Sequence, residues 1–394
     1  MSISVGVGLS TEKDPILAAK EAVRMANLNI HNKRADLAIC FSSVDLASSI
    51  LIKTINISLG EHIPIIGCSG AAIICNQDIC KHGVVVMLLN LPEGVHFNTA
   101  CTKELAAKSS QGAGEELGQK LLYGFKGVRR DLSIMFCDGL IQEGSNLIHG
   151  LQEKLGRSFP LVGGSASDNL KFQKTYLYFN QEIFSDGACA ILFGGKLNFG
   201  LGVKHGWKPL GKPRYVTKCS GNIVRAIDNT PAAQVYEEYF ACNLTELRKK
   251  LKYISVLYPI GIYLPGEEEY LLRNLISIEN DGSLVFQGNV PENSLIRLMI
   301  GTKESCLTAT RQATDEAKKS GANNFVLVFD SISRYILLRR EANRELKIIK
   351  EGVGKDTPVI GLYTYGEQAP LEAISYHGQT YFHNQTIVIL TVGA

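Results

Sequence analysis

Phe159-Pro-Leu-Val-Gly163 is the run on which the fold of this 394-residue chain turns, because two others share its form: Ile63-Pro-Ile-Ile-Gly67 and Thr357-Pro-Val-Ile-Gly361. Each is a short apolar run led by proline and closed by glycine, the form of a buried strand entered from a turn. Working outward, a helical pattern precedes each of them. Before that comes a second apolar run: Asp36-Leu-Ala-Ile-Cys-Phe41, Asp131-Leu-Ser-Ile-Met-Phe136 and Asn324-Phe-Val-Leu-Val-Phe329. The first two of these central runs lie 95 residues apart and the first two prolines 96 apart, whereas the third proline follows the second by 198. One unit written three times, with an extra segment before the third copy, accounts for that spacing.

The first copy opens with Ile3-Ser-Val-Gly-Val-Gly8. Its helix starts at Asp14-Pro15, a capping residue followed by proline at the first helical position, and Ile16, Ala19, Val23 and Ala26 share one face. A second helical pattern runs from Asp45, and Gly83-Val-Val-Val-Met-Leu-Leu89 closes the unit as a buried strand. The second copy opens at 96–101, has helices around 111–122 and 142–155, and closes at 187–193. The third reads as a strand at 296–300, helices near 305–319 and 339–350, and a last strand at 386–390. Residues 199–295 are richer in strand patterns, with the turn signal Asn280-Asp-Gly282. The pattern predicts an α/β chain, a layered sandwich of mixed sheets flanked by helices and built from repeated β-α-β-α-β-β units. Two domains are expected: 1–198 with two units, and 199–394 with the strand-rich insert and the third unit.

Hydrophobic residues at 45% and charged residues at 20% suit a globular chain with a sizeable core. The net charge of +3 and brief basic clusters such as 126–130, Lys249-Lys250 and Arg339-Arg340, read as solvated helix faces or turns, argue against nucleic acid. The opening residues have no basic stretch ahead of a long apolar run, and no run of about 18 apolar residues occurs, so a cytoplasmic protein without membrane contact is expected. The ten cysteines sit mostly in apolar runs and read as reduced, buried thiols. Cys68, Cys75, Cys80 and His82 lack metal-ligand spacing, Gly163-Gly164-Ser165 lacks the lysine of a phosphate loop, and no Gly-x-Ser-x-Gly elbow is present. No metal, no cofactor and no catalytic constellation is expected.

Chemistry is expected where strands end together. The central runs end in Ser42-Ser43, Cys137-Asp138-Gly139 and Asp330-Ser331; the proline-led runs continue as Gly67-Cys-Ser-Gly70, Gly163-Gly-Ser-Ala-Ser-Asp168-Asn169 and Gly361-Leu-Tyr-Thr-Tyr-Gly-Glu367. These are either plain turns after buried strands or a lining of close-approach glycines and directional hydrogen-bonding groups. Tyr363 and Tyr365 alternate along an extended segment and share one face, which is either ligand-facing or core. His205 and Trp207 read as a packed turn or as part of an inter-domain cleft.

The motif 361–367, the pair His383-Asn384 before a last apolar strand, Asp281-Gly-Ser-Leu284, and Arg334 shortly after a strand resemble the C-terminal half of the FIST family. Gly67-Cys68-Ser69 and Gly163-Gly164 with Asp168 resemble its N-terminal half, so the resemblance covers nearly the whole chain. It implies a sensory module in signal transduction, for which small ligands such as amino acids have been proposed. Such modules are usually fused to an output domain or an F-box; here the partner is expected to be a separate signalling protein. Ser331 stands where relatives often carry cysteine, so thiol capture is not expected. The residues implied for ligand binding are Ser69, Gly163, Gly164, Ser165, Asp168, Ser331, Arg334, Tyr365, Glu367, His383 and Asn384; His377 is left out as a lone strand histidine. For an amino acid or small carboxylate, Arg334 takes the carboxylate and Glu367 the amine, or else these two form an ion pair tying two strand ends. The other readings are a protein-interaction scaffold and an enzyme using a pocket between the domains.

Overall fold

The apolar runs form strands and the 3.6-period patterns form helices in all three units. The structure, a computed structural model, describes residues 2–394 apart from 32, 61, 77, 142 and 372–378; His377 and Gln142 thus lie outside the described residues. The first unit is β1 (Ser4–Ser10), α1 (Pro15–Asn29), β2 (Leu37–Ser43), α2 (Ser49–Leu59), β3 (Ile65–Gly70), a hairpin of β4 (Ile73–Cys75) and β5 (Asp78–Cys80), and β6 (Val84–Asn90). The second is β7 (Val95–Lys103), α3 (Ser110–Leu122), β8 (Arg130–Cys137), α4 (Gly144–Leu155), β9 (Leu161–Ser165), a hairpin of β10 (Leu177–Phe179) and β11 (Glu182–Phe184), and β12 (Gly187–Gly195). Asp14 caps α1 as expected, accepting from the Ile16 and Leu17 amides at 2.9 Å. Ile16 itself is exposed; the buried face consists of Ala18, Ala19, Ala22, Val23 and Ala26.

The third unit begins earlier than its sequence pattern predicts. Its opening strand is β13 (Asn198–Lys204), and 296–300 belongs to the insert instead. The insert runs through β14 (Lys208–Ser220), β15 (Ile223–Ile227), β16 (Thr230–Pro231), α5 (Gln234–Phe240), α6 (Leu244–Lys249), α7 (Leu251–Leu257), β17 (Ile260–Ile262), β18 (Leu271–Arg273), β19 (Leu275–Ile278), β20 (Leu284–Phe286) and β21 (Leu295–Ile300). The unit then resumes with α8 (Lys303–Ala317), β22 (Phe325–Ser331), α9 (Ile332–Leu338), α10 (Ala342–Val353), β23 (Val359–Thr364), a hairpin of β24 (Glu367–Pro370) and β25 (Thr380–His383), and β26 (Ile387–Gly393). The match between β1 and β13 is steric. A Cβ on Gly6 or Gly8 would stand 2.1 or 2.0 Å from the Ala26 or Ala22 carbonyl oxygen of α1; on Gly200 or Gly202 it would stand 1.8 or 1.7 Å from the Ala317 or Ala313 carbonyl oxygen of α8.

Three sheets share one strand order: β1-β6-β2-β3-β10-β11, β7-β12-β8-β9-β24-β25 and β13-β26-β22-β23-β4-β5; the insert forms a fourth. In each, the central and proline-led strands are parallel and the other neighbours antiparallel, giving the mixed sheets that hairpins among α/β crossovers predict. Each hairpin leaves its own unit. The first unit's hairpin extends the third sheet, the second's extends the first, and the third's extends the second. The inner faces of the three sheets meet in one core, at whose centre Phe136 makes edge-on contacts with Phe41 (5.4 Å) and Phe329 (5.9 Å). Helices cover the outer faces. The ten thiols are unpaired, and among the described residues no helix is long and apolar enough to cross a membrane.

Candidate functional site

The C-terminal ends of β3, β9 and β23 converge and continue past their own sheets to bond one another. Ser167 N donates to Ser69 O at 3.0 Å, Tyr363 N to Ala72 O at 2.9 Å, and Ser165 N to Gly366 O at 2.7 Å, so every pair of units is tied. Side chains reinforce the seam. Ser69 Oγ donates to Ser167 O at 3.0 Å, Ser167 Oγ accepts from Ala71 N at 2.8 Å, and Ser165 Oγ accepts from Gln368 Nε2 at 2.9 Å. Gly163 and Gly164 have packing reasons to be glycine: a Cβ would stand 1.8 Å from Met135 O in the one case and 2.6 Å from Thr364 Cγ2 in the other.

Asp168 winds the loop that follows. Its carboxylate accepts from the amides of Lys171, Phe172 and Gln173 at 2.9–3.0 Å and of Lys174 at 3.3 Å, and from the Tyr365 hydroxyl. Burial works to raise its pKa, but those hydrogen bonds outweigh burial and hold it below the usual carboxylate value. Leu170 and Phe172 are thereby held at φ +60 and +50, and the exposed Phe172 ring stacks on Tyr365 at 4.6 Å.

Arg334 is wholly buried. Its guanidinium pairs with Glu345 and lies 2.9 Å from Asp330 Oδ1, while donating to Thr310 Oγ1 at 2.8 Å and to the carbonyls of His205 and Cys306 at 2.5 and 3.1 Å. Burial, with Glu345 beside it, pushes the Asp330 carboxyl well above its ordinary value. Among the described residues no ion pair joins Arg334 to Glu367, whose oxygens contact Thr364 Oγ1 and Thr386 N instead. Burial pushes the Glu367 carboxyl up to about 8 despite those contacts. His383 is likewise buried, with Nε2 3.0 Å from Ala369 O and its pKa pressed down to about 3, chiefly by burial. Asn384 accepts from Asn274 N at 3.1 Å, tying the hairpin end to the insert, and Ser331 lies buried at the end of β22. The structure thus places all eleven expected residues in the buried seam or the buried cluster around Arg334 and the last hairpin, and brings Asp168 and Tyr365 into direct contact.

Beside this seam lies an open cleft of about 800 Å³, and each unit contributes to it. The first unit gives Ala71, Ile79 and Lys81; the second gives Asn169 and Leu170 from the loop wound by Asp168; the third gives Ile332, Tyr335, Ile336, Arg339, Arg340, Ala342 and Asn343. Ala71 is also the seam residue that bonds Ser167 and Tyr363, so the cleft opens where the strands end. Among the described residues no acidic side chain lines it. Lys81 Nζ lies 5.8 Å over the Tyr335 ring, and nearby Glu341 is occupied by Lys303 and Arg344. Among the described residues Lys81, Arg339 and Arg340 join no ion pair. Among the described residues no three His, Cys, Asp or Glu are grouped to hold an ion. The sequence reading missed this cleft, although the Arg339-Arg340 pair was its visible trace.

Residues 36–230 match the model of the FIST N domain, and residues 232–370 that of the FIST C domain. The chain belongs to the FIST family. FIST domains are known as sensory domains. Its relatives include an uncharacterised protein of Methanocaldococcus jannaschii, 24% identical over 84% of this FIST chain and 70% of the relative, and one of Mycobacterium bovis, 22% identical over 93% and 94%. Two solved cyanuric acid hydrolases, one from A. caulinodans, align with 99% of this chain and 99–100% of their own at 7% and 8% identity, with TM-scores of 0.37 and 0.33.

Proposed function

We propose that this FIST chain is a small-molecule-binding sensory module that takes a small carboxylate in the cleft beside the seam and passes its occupancy to a separate signalling partner. The observation that carries this reading is the lining of the cleft: Lys81, Arg339 and Arg340 line it with Asn169, Asn343 and Tyr335, and among the described residues no carboxylate joins them there. Guanidinium groups bind carboxylates through paired, charge-assisted hydrogen bonds, and Ile79, Ile332 and Ile336 offer an apolar bed for the ligand's carbon skeleton. Arg334, expected from sequence to take the carboxylate, is wholly buried and already paired with Glu345, so we assign that role to Arg339 and Arg340. Of the two ligand classes expected, the cleft favours a carboxylate over a simple amino acid, because among the described residues nothing acidic lines it to receive an ammonium group.

The test is thermal unfolding of the purified chain against acetate, propionate, succinate, glycine and alanine at matched ionic strength. Saturation at about 100 times the dissociation constant adds roughly 2.7 kcal/mol of stability, a readable shift. Carboxylates are expected to raise Tm, and Lys81→Ala combined with Arg340→Ala to abolish the shift. A panel with no response, or a response untouched by the double variant, would remove the ligand from this cleft.

A further inference from the structure

Resting on the cleft reading above, we propose that Arg339 is a specificity-determining residue that makes this site select a dicarboxylate over a monocarboxylate. The first observation is the backbone. Arg339 closes α9 at φ +55 and ψ −118, a combination that glycine enters freely and that a side chain resists. Glycine takes many positive-φ sites, including the helix caps Gly60, Gly156 and Gly354, and the non-glycine helix cap Ala241 lies in the ordinary left-handed region at ψ +48, whereas Arg339 combines positive φ with a strongly negative ψ. Retaining a side chain in a conformation that disfavours it is accounted for when the side chain is used.

The second observation is what the corner achieves. Successive residues of a continuous helix point about 100° apart, so neighbouring arginines ordinarily face different surroundings. The reversal at Arg339 ends that regularity, and Arg339 and Arg340 line the same cleft as Lys81. Among the described residues three cations and no acidic side chain line this one space. A monocarboxylate neutralises one of them and leaves two to repel each other; a dicarboxylate engages the arginine pair and Lys81 together. The ring of Tyr335 and the isoleucine bed offer an apolar surface to the spacer between the two carboxylates.

The experiment compares propionate, succinate and inorganic phosphate by calorimetric titration at one ionic strength, on the wild-type chain and on Arg339→Gly, with Arg339→Lys as a second variant. Succinate is expected to bind the wild type at least about ten-fold more tightly than propionate. In Arg339→Gly that preference falls to about two-fold or less, while Tm in the absence of ligand rises by about 1–3 °C as the backbone relaxes. Arg339→Lys keeps the charge and retains part of the preference. Equal binding of succinate and propionate by the wild type, or a preference that survives in Arg339→Gly, overturns the role of Arg339 and leaves the carboxylate cleft standing. Binding of phosphate alone overturns the dicarboxylate assignment, and binding of none of the three overturns both readings.

Discussion

Thr364 Oγ1 touches two oxygens, Asp330 O at 3.1 Å and Glu367 Oε1 at 2.5 Å. A hydroxyl carries one proton, so both contacts are hydrogen bonds only if Thr364 donates to Asp330 and receives a proton from Glu367. That count agrees with burial pushing the Glu367 pKa up to about 8. A folded-state pKa above the ordinary 4.5 means that the neutral carboxyl's contribution is fully present below about pH 4.5 and is lost as pH rises through about 8. Glu367→Gln mimics the neutral acid, its amide donating to Thr364 and its oxygen accepting from Thr386 N. The wild type is therefore expected to lose on the order of a few kcal/mol relative to this variant between pH 5 and 8, read by denaturant unfolding at each pH. Parallel pH profiles would refute the proton assignment. At this scale the sequence was a partial guide. The motifs around Arg334, Glu367 and His383 marked a polar cluster, but whether a charge is satisfied depends on partners such as Glu345 and Thr310, and no local pattern names them. Hence Arg334 read as the ligand's arginine, while Arg339-Arg340, a plain surface pair by composition, faces the cleft.

Among elements, the proline-led strands were the most legible part of the chain, and their closing glycines show why. A Cβ at Gly67, Gly163 or Gly361 would stand 1.7 Å from Cys40 O, 1.8 Å from Met135 O or 2.2 Å from Val328 O, in each case on the parallel central strand of the same sheet. The repeat of glycine at this place has a steric cause, and it was visible in sequence before its cause was. Gly163→Ala has backbone, not a flexible side chain, to displace, so it is expected to destabilise by more than about 3 kcal/mol, measured as a lowered denaturant midpoint at unchanged slope. A loss below about 1 kcal/mol would mean that β8 and β9 separate easily. The opening strand of the third unit was legible in principle, since β13 repeats the spaced glycines of β1, but the apolar run at 296–300 competed for the place. The hairpins were not legible. Their strands are only three or four residues long, and nothing within so short a segment specifies whether its edge partner is its own sheet or one a hundred residues away.

The exchange of hairpins governs how the whole molecule holds together. Linkers between independent domains cross small, polar interfaces, whereas here a cut before residue 197 would sever a common core. The first sheet and the second would lose the apolar face of the third, Phe136 would lose Phe329, the hairpin of β4 and β5 would lose its place on β23, and β9 would lose β24. An apolar surface of that kind, exposed to water, drives association. Two sequence-defined halves are thus compatible with a single cooperative body, and the cleft, which draws on all three units, exists only in that body. Fragments 1–196 and 197–394 are accordingly expected to be aggregation-prone or largely unfolded alone, and to recover one thermal transition near that of the intact chain when refolded together. A first fragment that unfolds cooperatively on its own at the intact Tm would show that the third sheet adds nothing to the other two, and the cleft would then be a groove between independent domains.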